Sequence, residues 1–256
     1  MKNRIMSIVR HIPNALTSGN LFLGTTGAYL ALVGRPDLTA WCVLAAALLD
    51  FLDGFAARML HAYSDIGKDL DSLADLVSFG VAPAAVLSAM VHFSLTGQWS
   101  GLFLTLEMTQ QALVLMPFLL VVFSALRLAK FNNDERQSES FIGLTTTATG
   151  MFTVSLAYLI FKEGGWWLQL TNPWAVLAMV AVFSALLVSE IPMFSLKFKS
   201  FGWKGNENRY VLLVVSLFAL VFLQVGALAV IVPAYVLYSI VLAVSIRSKI
   251  SNKKAG

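Results

Sequence analysis

Four aspartates carry the chemistry this chain offers most plainly. Asp50 and Asp53 stand three residues apart and Asp71 and Asp75 four apart, so on helices each pair projects from one face. Asp65 and Asp69 lie between the pairs, which places six of the fourteen acidic residues within 26 positions. Those two read as a solvated helix end, but the other four need a different account. Ionised carboxylates at membrane depth cost several kcal/mol each unless something compensates them. Only Arg58 and Lys68 are near in sequence, too few for the task. Bound divalent cations would suffice. Ligands that are all oxygen suit Mg2+, Mn2+ or Ca2+ and argue against zinc, which usually takes His and Cys. Gly54 follows Asp53 and Ala57 lies one turn on, so the helix is bare enough there for a bulky ligand or a neighbouring helix to touch backbone. Arg58 adds a forked guanidinium that matches phosphate oxygens or snorkels to the interface. Gly67 precedes the second acid pair as a turn glycine.

The elements that hold these groups must lie in a bilayer. Hydrophobic residues make up 58% of the 256 and charged ones 12%, with mean hydropathy +0.76; a water-soluble globule has about twice that charge. Windows of roughly 20 apolar residues predict eight membrane helices, at 14–34, 38–60, 69–93, 109–129, 141–161, 173–196, 209–224 and 227–246. The fold class is therefore all-α, a polytopic membrane bundle. The uncharged run 210–246 is too long for one span and is read as a helical hairpin within 197–246, turning at Gln224–Gly226. The short link 59–66 makes the second and third helices antiparallel neighbours, so all four carboxylates can converge. With the N-terminus inside, every Lys and Arg except Arg35 and Lys162 falls on the cytoplasmic side, as the positive-inside rule requires. Both termini and the acid cluster are thus expected at the cytoplasmic face, with 1–12 as an amphipathic juxtamembrane segment and 247–256 as a basic tail. The lone cysteine, Cys42, excludes an intrachain disulfide, and the net charge of +4 is explained by membrane orientation without any nucleic-acid partner.

Taken together, the stretch reads Asp50-x2-Asp53-Gly54-x2-Ala57-Arg58-x8-Gly67-x3-Asp71-x3-Asp75. It resembles the signature of the CDP-alcohol phosphotransferase family, which joins a CDP-activated group to an alcohol in phospholipid synthesis. The resemblance implies that the four aspartates bind two divalent cations, Mg2+ or Mn2+, and that Asp75 is also the base that activates the acceptor hydroxyl. It further implies that Gly54, Ala57, Arg58 and Gly67 border the CDP moiety, and that the enzyme is a homodimer with a six-helix core, here 13–196. The flanking segments Ile12–Thr17 with Asn20-Leu21, Ser72–Pro83 and Ala125–Asn132 are similar to the family's membrane-embedded bacterial phosphatidylserine synthases. This points to CDP-diacylglycerol as donor, L-serine as acceptor and the inner membrane as location. Lys130 stands where that resemblance expects arginine, and Gly143–Ala148 lacks the expected prolines.

Acceptor contacts are assigned to Arg127 and Lys130, which reach the same membrane face, and to Ser78, one turn beyond Asp75. Glu135, Glu139 or Glu190 could meet an ammonium group. Glycerol 3-phosphate or inositol are the alternative acceptors within the family. A cation transporter is the alternative outside it, but a transport path should place polar groups near the bilayer centre in several helices, and here they crowd at one edge.

Overall fold

The computed structural model describes residues 11–134, 142–193 and 207–255. Among these the regular elements are helices, and one isolated bridge joins Ile142 to Pro192. The segments 1–10, 135–141 and 194–206 lie outside the described residues, and with them nearly all of the juxtamembrane segment, Glu135 and Glu139.

Helix α1 (Ile12–Leu32) and α2 (Pro36–Met59) are joined by a three-residue turn. Pro36 opens α2 at the first helical position, where its missing N–H costs nothing. Thr39 Oγ1 donates to Gly27 O at 2.9 Å near the turn, and Thr17 Oγ1 donates to Asp53 Oδ2 at 2.5 Å far from it. The two helices therefore run antiparallel along their length.

After the loop 60–64, α3 (Asp65–Leu76) begins at Ser64, whose hydroxyl accepts from Gly67 N at 3.0 Å and caps the helix. It continues without a stop through a π-helical turn, Val77–Val81, into α4 (Ala82–Thr96). Pro83 causes that turn. It has no N–H to give to Phe79 O, and the ladder re-registers with Ala82 N–H bonding Val77 O. Gly97, at φ +75°, ends α4 with a left-handed residue. Then follow α5 (Met108–Leu115), a 3-10 turn at Pro117, α6 (Leu119–Asn133), α7 (Thr146–Glu163), α8 (Pro173–Val188), α9 (Glu207–Leu223) and α10 (Leu228–Ala255).

The buried core is built around α4, whose residues 82 through 92 are all buried. α7 packs against α2, α4 and α10, while α1 covers α3 and α4, and α6 pairs with α8. Trp41, Leu48, Phe51 and Phe55 form an exposed apolar face on α2, as a lipid-facing surface should.

Helical stretches occupy all eight expected positions, with shifted ends. α7 starts at Thr146, because Gly143 is left-handed (φ +74°) and Thr145 Oγ1 caps the helix by accepting from Ala148 N at 3.2 Å. α8 ends at Val188, where Gly143 N and Leu144 N bond to Ile191 O and Leu186 O. α10 runs on through the expected tail as far as Ala255. The break between α9 and α10 falls at Gln224 (φ +47°) and the 3-10 turn Gln224–Ala227, in which Val225, Gly226 and Ala227 are buried and Gly226 lies against Leu159 of α7.

By length and apolarity alone, four described runs can cross a membrane, namely Pro36–Met59, Asp65–Thr96, Met108–Asn133 and Leu213–Leu242; the bent pair Gly165–Thr171 with Pro173–Val188 makes a fifth. α1 and α7 miss that test because α1 carries Asn14 and Asn20 and α7 ends on Lys162-Glu163, and both also contain several hydroxyls. Most of these bond to their own helix, as Thr25 does to Leu21 O and Thr153 to Thr149 O, so they are less polar in place than in the sequence. The chain is a membrane protein.

Candidate active site

Asp50 and Asp53 project from the last turns of α2, and Asp71 and Asp75 from α3. One carboxylate oxygen from each of Asp50, Asp53 and Asp71 lies within 4.8 Å of the others. The Asp50 carboxylate is also within hydrogen-bonding reach of Asp71 and Asp75. Asp53 is buried, and Thr17 of α1 donates to it. Asp75 Oδ1 is buried and receives no hydrogen bond. Among the described residues none of the four is in an ion pair; the pairs present are Arg35 with Asp37 and Lys130 with Glu190. Carboxylates facing one another without a cationic partner fit hard divalent cations, which take oxygen ligands at about 2.0–2.6 Å, so the residues present suit such a group.

Two clefts meet at this cage. One, of about 240 Å3, is lined by Asp53, Gly54, Ala57, Arg58 and Gly67, together with Asn14, Thr17, Tyr63, Ser64 and Lys68. The other, of about 380 Å3, is lined by Asp75 and Arg127 with Ser72, Phe131, Asn132 and Thr145 to Thr147. Asp71 lines both. The four residues expected beside a CDP group thus share one cleft. A Cβ on Gly54 would meet nothing nearer than Arg58 Nη1 at 4.0 Å, so no helix packing calls for a glycine there. Gly67 differs, because a Cβ would stand 2.8 Å from Ser64 Oγ and 2.9 Å from Asn14 Oδ1. It lets the start of α1 close on α3.

The three expected acceptor contacts separate. Arg127 is buried, donates from Nε to Leu144 O at 3.2 Å and lies 5.0 Å from the Phe131 ring, at the wall of the larger cleft. Lys130 lines neither cleft and reaches Glu190 at 3.4 Å on the surface. Ser78 is fully buried, and its hydroxyl is directed to Asn20 O (3.0 Å) and Asn20 Oδ1 (2.7 Å), which ties the π turn to α1. The side chain lies at a helix crossing rather than in a cleft.

Thr17, Asn14, Asn132 and Thr145–Thr147 are site residues that spacing alone did not single out. Asn132 Nδ2 donates to Ser72 Oγ at 2.8 Å and Asn132 O accepts from Lys68 Nζ at 3.3 Å, fastening the end of α6 to α3. The signal available for most of these was their position in the flanking segments, which proved to be the segments that wall the clefts.

A helical membrane bundle with four partly or fully buried carboxylates gathered where two clefts meet defines a membrane-embedded enzyme of metal-carboxylate type. The chain belongs to the CDP-alcohol phosphatidyltransferase family, whose profile matches residues 10–188. Members of this family use a divalent metal, and the Asp50, Asp53 and Asp71 group can bind one. The chain is similar to proteins named CDP-diacylglycerol–serine O-phosphatidyltransferase. One, from Mycobacterium leprae, is 36% identical over 190 residues, which is 71% of this chain and 57% of that protein. A second, from Helicobacter pylori, is 31% identical over 249 residues, covering 95% of this chain and 96% of the relative. A third, from Bacillus subtilis, is 30% identical over 200 residues, 78% and 96% of the two chains.

Proposed function

We propose that the protein transfers the phosphatidyl group of CDP-diacylglycerol to the hydroxyl of L-serine, giving phosphatidylserine and CMP. The observation that carries this reading is the meeting of the two clefts at the carboxylate cage. A donor in the Gly54 cleft and an acceptor in the Arg127 cleft would face each other across Asp71. The names of the relatives supply the identity of both substrates.

Two bound cations, Mg2+ or Mn2+, would neutralise the diphosphate and stabilise the charge on the departing CMP. Asp50, Asp53, Asp71 and Asp75 would hold them, with Thr17 fixing the orientation of Asp53. Arg58 and Lys68 place positive charge beside the donor cleft. In the acceptor cleft Arg127 pairs with the serine carboxylate, helped by the N-terminal end of α7, where Thr145 to Thr147 line the same cleft and a helix start favours an anion. Asp75 takes the proton from the serine hydroxyl as its oxygen attacks the lipid-bearing phosphorus. The bond from that phosphorus to the CMP oxygen breaks, and no covalent enzyme intermediate is needed. Lys130, paired with Glu190 on the surface outside both clefts, is assigned no contact with serine, and Ser78 acts by holding the π turn below Asp75 rather than by touching serine.

The distribution of loop charges supports a cytoplasmic position for both termini and the site, where serine and the nucleotide are soluble while the acyl chains stay in lipid. The assembly is a homodimer, as the family resemblance implies. Purified protein given CDP-diacylglycerol and, separately, serine, glycerol 3-phosphate or inositol should release CMP with serine alone. Release with another alcohol instead overturns the acceptor. Asp75→Asn should abolish release while leaving the protein folded, and retained turnover would refute its role as base.

A further inference from the structure

The cleft beside Asp53 has features suited to a sugar and phosphates: a bare floor at Gly54 and Ala57, with Arg58 and Lys68 among its lining. None of these suits the flat, uncharged base of a nucleotide. Among the residues that line this cleft, the only aromatic ring is that of Tyr63. Its backbone is held on both sides. Ala62 before it is buried and donates from N to Ala57 O at 3.0 Å, and Ser64 after it caps α3. His61, left-handed at φ +48°, turns the chain into this position. Yet the Tyr63 side chain is left largely open, the residue being 72% exposed. A ring presented from a fixed backbone and spending little of its surface on the fold is available to a ligand. The signature specifies no residue type from 59 to 66, so the ring is a feature of this chain rather than of the pattern.

We propose that Tyr63 is a specificity-determining residue that stacks on the pyrimidine base of the CDP-activated donor. The inference rests on reading the Gly54 cleft as the donor site and is independent of the acceptor. Aromatic faces stack on any nucleobase, with an effect of about 1–3 kcal/mol per base, which corresponds to roughly 5- to 150-fold in affinity. Tyr63 would therefore favour a nucleotide over a bare sugar phosphate without choosing among bases.

The test uses the full chain in lipid nanodiscs with saturating Mn2+, and CMP and ribose 5-phosphate as probes in calorimetry. Tyr63→Leu keeps an apolar side chain for the membrane interface but has no π face. It should weaken CMP about tenfold and leave ribose 5-phosphate unchanged. Tyr63→Phe and Tyr63→Trp should bind CMP within about twofold of the parent or more tightly. CMP affinity unchanged in Tyr63→Leu, as expected of a simple interfacial anchor, overturns the proposal. So does an equal loss of both probes, as expected of a collapsed cleft. Serine-dependent CMP release by the parent protein is measured alongside. If serine is not used but CMP binding depends on the ring, the acceptor reading falls and this inference stands; if serine is used and Tyr63→Leu binds CMP normally, only this inference falls.

Discussion

Two glycines on neighbouring helices should respond to the same substitution in opposite ways. Gly54 lies inside α2, and the methyl of Gly54→Ala would have open cleft around it, with Arg58 Nη1 at 4.0 Å as its nearest neighbour. Alanine in a helix interior is more favourable than glycine by about 0.5–1 kcal/mol, so the fold should be unchanged or slightly more stable. The methyl instead occupies space that the donor is expected to use. Overpacking of that kind costs about 1–3 kcal/mol, here charged to the ligand complex, and predicts a rise of roughly 5- to 150-fold in KM for CDP-diacylglycerol. Gly24 is the counterpart on α1. A Cβ there would lie 2.6 Å from Ser78 Cα and still closer to its hydroxyl, so Gly24→Ala should put the same 1–3 kcal/mol on the fold. Thermal unfolding in one detergent, paired with CMP release across a range of donor concentrations, separates the two effects. The reasoning is wrong if Gly54→Ala melts as far below the parent as Gly24→Ala does, or if its KM for the donor does not move.

Three further outcomes follow from the site. Thr17→Val removes the hydroxyl that donates to Asp53, and after chelation it should need about 10- to 100-fold more Mn2+ to restore CMP release; Thr17→Ser should recover most of this, and an unchanged metal titration would exclude the positioning role. Ser78→Ala loses buried hydrogen bonds to Asn20, so unfolding should become easier by about 1 kcal/mol with the serine KM unchanged. A large rise in serine KM would restore the direct contact. Arg127→Lys keeps the charge but loses the fork and the bond to Leu144 O. Serine KM should rise at least tenfold while donor KM stays level, and the opposite pattern would move Arg127 to the donor side.

Much of this protein was decided by its linear order. Hydropathy is a property of each segment, and helical periodicity turns a spacing of three or four into a shared face, so the bundle is readable from the apolar segments and the two carboxylate pairs from 50–75. The same holds for Gly54 and Ala57, which lie four residues beyond Asp50 and Asp53 and so one turn further along the same helix. Contacts between distant segments are different, because they depend on how helices cross. Thr17 reaches Asp53 from 36 residues away and Ser78 reaches Asn20 across 58. Lys130 is drawn to Glu190, 60 residues on, while Arg127, one turn earlier, is buried at the wall of the cleft that Asp75 also lines. Even the surroundings of the π turn after Asp75 needed the fold. Pro83 withholds an N–H from the preceding turn in any context, but the helices that the π turn meets, α1, α6 and α7, come from distant parts of the chain.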